Sequence, residues 1–430
     1  MNYQEWKKQI KPDKKLRKYQ HVDEPINLDD EKSFQKIIHV IEDIKNHQFL
    51  PFLKRIDNKI RFRRNNEGKA VRKNKPRPIM YASHVDANIY SYYNSLLMQK
   101  YEDYLKKINL SNNIIAYRKI KIQETEKGKS NVHFAKEVFD YIQKQEECVV
   151  ITQDITGFFD NLNHKVLKNK ICKINGTDIL GEDLYKVFRS LTAYKYIYCD
   201  DFINKKIKKK AKNNKYAVYK ILDGVVNINR TNIGIPQGSP ISGLLANIYL
   251  IDFDNQINTS FPDVYYRRYS DDLIFVCKNE QKENLLKFIE ERIKEYFLEI
   301  NPAKSFISYF KKEGNILTCN QVTDGLGNKI GRNYVDYLGL EFSGENIYLR
   351  KNTVQKLKIK QEKKVLRQLS NTIKQERRKP RKIKIKINRS NYFKRASDII
   401  NNIGIKKQVL RITKSRNKIR LGKKAITNKK

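Results

Sequence analysis

Two short strand-like runs, residues 265–269 and 273–276, are joined through Ser270-Asp271-Asp272. That string predicts a tight hairpin with adjacent carboxylates at its tip. Neighbouring carboxylates repel, and a cation offsets the repulsion. On its own, a pair of acids in a turn most often marks a solvated turn. A second strand changes the weight. Residues 149–155 are mostly apolar and carry Asp154 near their end, where a lone carboxylate has no evident structural partner. If the two elements are neighbours in a sheet, Asp154 and Asp271 converge. An oxygen-only donor set suits Mg2+, which keeps waters and takes phosphate oxygens as further ligands. Two such ions about 3.5–4 Å apart stabilise the attacking and leaving oxygens of phosphoryl transfer.

Between these strands lies GIPQGSPISGLLANIYL, residues 234–250. Gly234, Pro236, Gly238 and Pro240 fall within seven residues, ahead of a helical apolar run. Glycine allows close backbone approach to a ligand. Pro240 is expected in the first turn of the helix that follows. Alone, the segment reads as a loop before a buried helix.

Charge points to the partner. Lys plus Arg number 89 against 47 Asp plus Glu, a net charge of +42 on 430 residues. Such a surplus repels itself unless a polyanion neutralises it, so nucleic acid is the first partner to expect and an ordinary metabolic enzyme is disfavoured. An AT-rich genome explains 65 lysines against 24 arginines, but not the excess of both over acids. Residues 350–430 alone hold 30 basic and 3 acidic residues. The five cysteines (Cys148, Cys172, Cys199, Cys277, Cys319) form no CxxC pair, which argues against a zinc ribbon or disulfide framework and for a cytoplasmic location. The N-terminus lacks the apolar core of a signal peptide. No segment reaches the ~20 apolar residues of a membrane span.

The pattern along the chain is that of an α+β protein in several units. Residues 1–60 read as an N-terminal helical extension, polar and without clear periodicity up to residue 28. Asp29 and Asp30 offer an N-cap to Phe34, Ile37, Ile38, Ile41 and Ile44 at helical spacing. Residues 60–78, basic and broken by Gly68, Pro76 and Pro78, read as a mobile hairpin, and 79–108 as a Tyr-rich helix. Residues 131–145 and 280–296 have helical apolar spacing. KKIKKKAKNNK (205–215) reads as a solvated insertion. Val354, Leu357, Leu366, Leu369 and Ile373 predict a helix ending before Pro380. An alternating strand at 381–387, a helix over 392–403 and a disordered basic arm from about 413 follow.

Taken together, VVITQDITGFFDNLNH (149–164), GIPQGSPISGLLANIYL and YYRRYSDDLIFV (265–276) resemble motifs A, B and C of reverse transcriptases in order and spacing. RKNKPRPI (72–79) resembles the fingers segment, and IIAYRK (114–119) the second fingers motif, where the usual pattern has GFR. LEINPAKS (298–305) resembles motif D and VDYLGLEFSG (335–344) the primer-grip motif E. The resemblance spans roughly residues 70–345. It implies a right-hand polymerase: fingers over 61–148, an antiparallel palm over 149–345 with an insertion at 195–232, a basic thumb over 346–412 and a basic tail over 413–430.

The resemblance also implies an RNA-directed DNA polymerase and assigns roles. Asp154 and Asp271 would ligate two Mg2+ ions, with Mn2+ able to substitute, and Asp272 would complete the acidic site. Phe159 matches the steric gate that crowds a ribose 2′-hydroxyl and favours dNTPs, while Phe158 is the core residue of that pair. Gln237 and Gly238 match the turn that lies against template and incoming nucleotide. Lys304 matches the lysine proposed to protonate leaving pyrophosphate. Arg77, with Lys75 or Arg118, would clamp the triphosphate.

NVHFA (131–135) stands where retron enzymes show NAxxH, and VTDG (322–325) is the nearest string to their VTG. The Cys pairs common in group II intron proteins are absent from this sequence. GKSNVHFAKEVFDYI (128–142) and the stretch after VDYLGLEFSG resemble instead the defence-associated, abortive-infection reverse transcriptases of bacteria. That lineage implies a dedicated noncoding RNA as template, a DNA product and no membrane. Two alternatives stand beside it: template-independent or protein-primed DNA synthesis on the same fold, and a noncatalytic RNA-binding scaffold. Tyr90, Tyr92, Tyr93, Tyr101 and Tyr104 could stack unpaired bases, though core packing accounts better for most of them.

Overall fold

The computed structural model describes residues 2–10, 16–17, 19–64, 70–123, 125–204, 207 and 224–376. The N-terminal part holds α1 (Tyr3–Gln9), α2 (Glu31–Glu42), β1 (Phe52–Arg64), β2 (Ala70–Tyr81), α3 (His84–Lys107) and α4 (Asn131–Gln143). The middle holds β3 (Glu147–Asp154), α5 (His164–Asn175), α6 (Glu182–Thr192), β4 (Lys195–Tyr198), α7 (Cys199–Asn204) and β5 (Asn227–Ile228). Then come α8 (Ser242–Tyr249), α9 (Ile251–Ser260), β6 (Tyr265–Tyr269), β7 (Asp272–Cys277) and α10 (Lys282–Glu295). Last are β8 (Phe306–Glu313), β9 (Ile316–Asp324), β10 (Val335–Tyr337), β11 (Leu340–Phe342), β12 (Ile347–Leu349) and α11 (Lys351–Glu376).

β3 lies at the centre of a five-stranded antiparallel sheet in the order β6-β7-β3-β8-β9. Both faces of this sheet are covered, which is why β3 and β7 read as near-continuous apolar runs rather than alternating ones. Val149, Ile151, Leu273 and Phe275 join one core with residues of α3, α5, α8 and α9. Cys148, Val150, Ile274 and Val276 point the other way, into a second core built from α4 and the β10-β11-β12 sheet. Mixed α and β content around an antiparallel sheet is the α+β architecture that the sequence predicts.

The second sheet runs β2-β1-β4-β5. β1 and β2 form a long antiparallel ladder from Leu53 opposite Tyr81 to Arg64 opposite Ala70. Residues 52–60 are therefore strand, not part of a helical extension. The strand's first two residues enter different cores: Phe52 joins the main one and Leu53 a third one with Ile197, Phe202 and Val225. α3 starts at His84, later than residue 79, because residues 79–81 still belong to β2. Ser83 caps it by accepting from the Asp86 amide at 3.0 Å. Tyr90, Tyr93 and Tyr101 of this helix are buried, so core packing is their role.

α1 is an element that sequence periodicity does not predict. Asn2 accepts from the Glu5 amide and Glu5 accepts from the Asn2 amide, a reciprocal capping box. Trp6, with no exposed surface, anchors the helix against Phe34 and Tyr92, and its Nε1 donates to Ser91 Oγ. α2 is capped by Asp30 as expected and buries Phe34, Ile37 and Ile41. The insertion at 205–215 (Ile207 apart), the strand at 381–387, the helix at 392–403 and the arm from 413 fall outside the described residues.

Trp6→Ala should lower the free energy of unfolding by about 3–5 kcal/mol in chemical denaturation, the cost of emptying a buried Trp site. A loss below about 1 kcal/mol would show that the N-terminal helix is not part of the cooperative core.

Candidate active site

The β3–β7 ladder sets Asp154 directly opposite Asp272. Backbone bonds fix both ends of this pair. The Ile155 amide donates to the Asp271 carbonyl at 3.0 Å, and the Asn301 amide to the Asp154 carbonyl at 2.8 Å. Between β6 and β7 the chain turns through Ser270, which is buried with a left-handed φ of 60°.

The hairpin is held from behind by Arg268, whose side chain has no exposed surface. Its Nε donates to Asp254 Oδ1 at 2.7 Å and its Nη2 to Asp254 Oδ2 at 2.5 Å. The Tyr266 hydroxyl donates to the same carboxylate. Arg268 Nη1 reaches Asn247 Oδ1 and the Ser270 carbonyl, and Asn247 donates to the Ala116 carbonyl. One buried charge pair thus joins the acidic turn, α8, α9 and the 114–118 segment.

Burial raises the Asp272 carboxyl to about 7, with the Asp271 and Asp154 charges adding to the effect. Burial, and then Asp154, also raise Asp271. Lys304, in a short 3-10 turn at Pro302–Lys304, forms an ion pair with Asp154 Oδ1. Among the described residues, no three acids, histidines or cysteines are already arranged to hold a metal ion. The three carboxylates are brought to one place by backbone register, and their mutual repulsion marks a site that a cation would relieve.

Beside them lies a cavity of about 400 Å3 lined by Tyr117, Phe159, Gln237, Gly238, Ser239 and Gly243, among others. Phe158 is 3% exposed and belongs to the core, while Phe159 faces the cavity and meets the Tyr117 ring edge-on at 6.3 Å. Gln237 donates from Nε2 to Asp160 Oδ1 at 3.1 Å, and its carbonyl accepts from the Met80 amide at 2.7 Å. Gly238 has a φ of 116°, and a Cβ there would sit 2.7 Å from the Met80 carbonyl oxygen. Only glycine fits that turn. Pro240 precedes the N-cap residue Ile241, so it lies in the turn and not in the first turn of α8. The turn at 236–240 has used those residues before helical geometry begins.

The fingers cations are placed differently from expectation. Arg118 donates to both Glu102 oxygens and to the carbonyls of Ser111 and Ile114, and its side chain is 5% exposed. With its donors committed to Glu102 and to the two carbonyls, it is not available to clamp a triphosphate. Arg77 is exposed on β2 opposite Asp57 and does not line the cavity, and Lys75 stands opposite Lys59 in the same ladder. Tyr117, absent from the sequence expectation, is the residue that IIAYRK supplies instead. Its hydroxyl lies 3.2 Å from Ser270 Oγ, its φ is 59°, and its ring packs where a Cβ on Gly243 would fall.

The sheet brings an acidic turn beside a strand-end carboxylate, under a glycine turn, in the same order along the chain as the three motif segments. The family model for reverse transcriptase (RNA-dependent DNA polymerase) matches residues 66–342, and the chain belongs to that family. No curated protein sequence matches it. Among solved structures it is similar to apo telomerase from Candida tropicalis truncated from its C-terminal domain, at 12% identity over 74% of this chain and 60% of that one, with a TM-score of 0.42. It is also similar to Candida tropicalis telomerase in complex with a TWJ fragment of telomeric RNA, at 14% identity over 75% and 49% of the two chains, TM-score 0.38. The corresponding Candida albicans complex gives 11% identity, 79% and 55% coverage, and a TM-score of 0.36. The chain spans 60% or less of the length of these structures.

The raised Asp272 makes a signed prediction. Its folded form favours the neutral acid, so its contribution to stability is present below the ordinary carboxylate range near pH ~4 and is lost as pH rises through about 7. Without divalent ions, the wild-type Tm should fall relative to that of Asp272→Asn as pH rises from about 4 to about 8. A difference between the two proteins that is flat over that range would contradict the assignment.

Proposed function

We propose that the protein is an RNA-directed DNA polymerase that copies a bound RNA into DNA. The observation that carries this reading is the β3–β7 register, which sets Asp154 opposite Asp272 beside the Phe159–Gln237–Gly238 cavity. The carboxylates of Asp154, Asp271 and Asp272 would hold the divalent ions; oxygen-only donors that repel one another fit Mg2+, and Mn2+ as a substitute. Bound there, the ions would activate a primer 3′-hydroxyl and neutralise the leaving pyrophosphate.

The remaining roles belong to the chain's own groups. Phe159 crowds the sugar edge of the cavity and favours dNTPs over rNTPs. Gln237 and the Gly238 backbone form the wall against the templating base and the incoming nucleotide. Lys304 holds a proton at Nζ, next to Asp154, that it can give to pyrophosphate. Arg77, with Lys75 on the same strand, would clamp the triphosphate. The finer reading is a bacterial defence enzyme of the cytoplasm with a dedicated noncoding RNA. It is supported by the motif resemblance and by the +27 charge of residues 350–430, which suits a phosphate-rich partner.

Primer extension on an RNA template tests the reading. The Asp271→Ala/Asp272→Ala protein should lose at least about a hundredfold in rate while keeping RNA affinity. Equal rates would rule the site out. Phe159→Ala should raise rNTP use relative to dNTP by about tenfold or more, read from competition in the same assay. An unchanged ratio would remove Phe159 from sugar selection.

A further inference from the structure

Tyr117 sits in a strained backbone conformation that its neighbours impose. Its φ of 59° lies in the left-handed region, which bulky side chains avoid unless the surrounding structure holds them there. Both flanking residues are pinned. Asn247 donates to the Ala116 carbonyl at 2.8 Å, and Arg118 is locked by Glu102 and two carbonyls. Just upstream, the Ile115 amide donates to the Arg268 carbonyl at 3.0 Å, and the Arg268 amide to the Asn113 carbonyl at 2.7 Å. The same strand, β6, leads into Ser270, which is also left-handed and whose Oγ lies 3.2 Å from the Tyr117 hydroxyl.

The ring displayed in this way is 49% exposed, so core packing does not account for it. It lies against α8 at Gly243, where an added Cβ would fall 2.6 Å from two of its ring carbons. It meets the Phe159 ring edge-on, with centroids 6.3 Å apart and planes at 84°. Phe159 also meets Phe158, at 5.8 Å. Phe158 is buried, whereas Tyr117 and Phe159 both line the cavity. Phe159 is therefore in contact with one ring fixed by the core and with a second fixed by its backbone, by Gly243 and by Ser270. Edge-on ring pairs favour one relative orientation, so a Tyr117 that cannot shift limits the rotamers open to Phe159.

We propose that Tyr117 is the positioning residue of sugar selection: seated on Gly243 and bonded to Ser270, it fixes the Phe159 ring where that ring crowds a ribose 2′-hydroxyl. The inference rests on the reading of Phe159 as the residue that meets the sugar. It adds that the gate is made of two rings, the second one held by α8 and by the acidic turn.

The test is primer extension on an RNA template with dNTPs and rNTPs in competition, and the readout is the dNTP-to-rNTP ratio of kcat/KM. Tyr117→Ala should lower that ratio by about three- to tenfold. Tyr117→Phe, which keeps the ring and its seat on Gly243, should keep the wild-type ratio. Gly243→Ala is a second route to the same result, since its Cβ displaces the Tyr117 ring without altering Phe159, and alanine is favoured over glycine inside a helix. It should lower the ratio as Tyr117→Ala does. The Tyr117→Ala/Phe159→Ala double variant should fall no further than Phe159→Ala alone, because a ring that acts only through Phe159 then has nothing left to position. The proposal is overturned if Tyr117→Ala and Gly243→Ala keep the wild-type ratio while Phe159→Ala lowers it, or if the two losses add in the double variant. It is also overturned if Tyr117→Phe falls as far as Tyr117→Ala, or if Tyr117→Ala and Gly243→Ala slow dNTP and rNTP use alike. A ratio that Phe159→Ala itself leaves unchanged would overturn the reading of Phe159, and this inference with it.

Discussion

The buried ion pair between Arg268 and Asp254 is the interaction on which the site depends. Neither side chain has exposed surface, and the guanidinium spends its remaining donors on Asn247 and the Ser270 carbonyl. Breaking one half of such a pair costs about 3–5 kcal/mol, because it leaves a charge buried without a partner. The value of the pair lies in what it holds in place. β6 carries Arg268, α9 carries Asp254, α8 carries Asn247, and the Ala116 carbonyl is tied in through Asn247. The acidic turn, the helix behind the glycine turn and the Tyr117 segment therefore move as one body, and the turn's left-handed Ser270 is held rather than frayed.

On the front of that frame sits a deliberate tension. Asp154 and Asp272 lie opposite each other on two strands with Asp271 in the turn beside them, and burial and neighbouring carboxylates push Asp271 and Asp272 toward the neutral acid. Lys304 offsets part of this repulsion from the Asp154 side. Carboxylates held together in this way repel one another, and a cation between them would relieve that repulsion. The apolar strands on both faces of the sheet supply the rigidity that keeps the acids together in spite of the repulsion.

Much of this was legible in the residues because it is local or periodic. The runs around Asp154 and around Asp271-Asp272 and the cap at Asp30 follow from neighbours in sequence, while the division of Phe158 into the core and Phe159 into the cavity follows from the motif resemblance. Other features depend on partners far along the chain. Arg118 looks like a phosphate cation until Glu102 is seen to fill its fork. α1 holds only one large buried side chain, so a capping box rather than periodicity announces it. Tyr117 gains its meaning from Ser270, 153 residues further along the chain, and from Gly243, against which its ring packs.

The central claim is that Asp154 and the acidic turn together copy RNA into DNA. The most direct measurement is to sequence the DNA made on a defined RNA of mixed sequence, by wild type and by Asp154→Asn. The account predicts a product that is the complement of that RNA from wild type and no product from the variant. A product unrelated to the template, or one that the variant makes equally well, would contradict it.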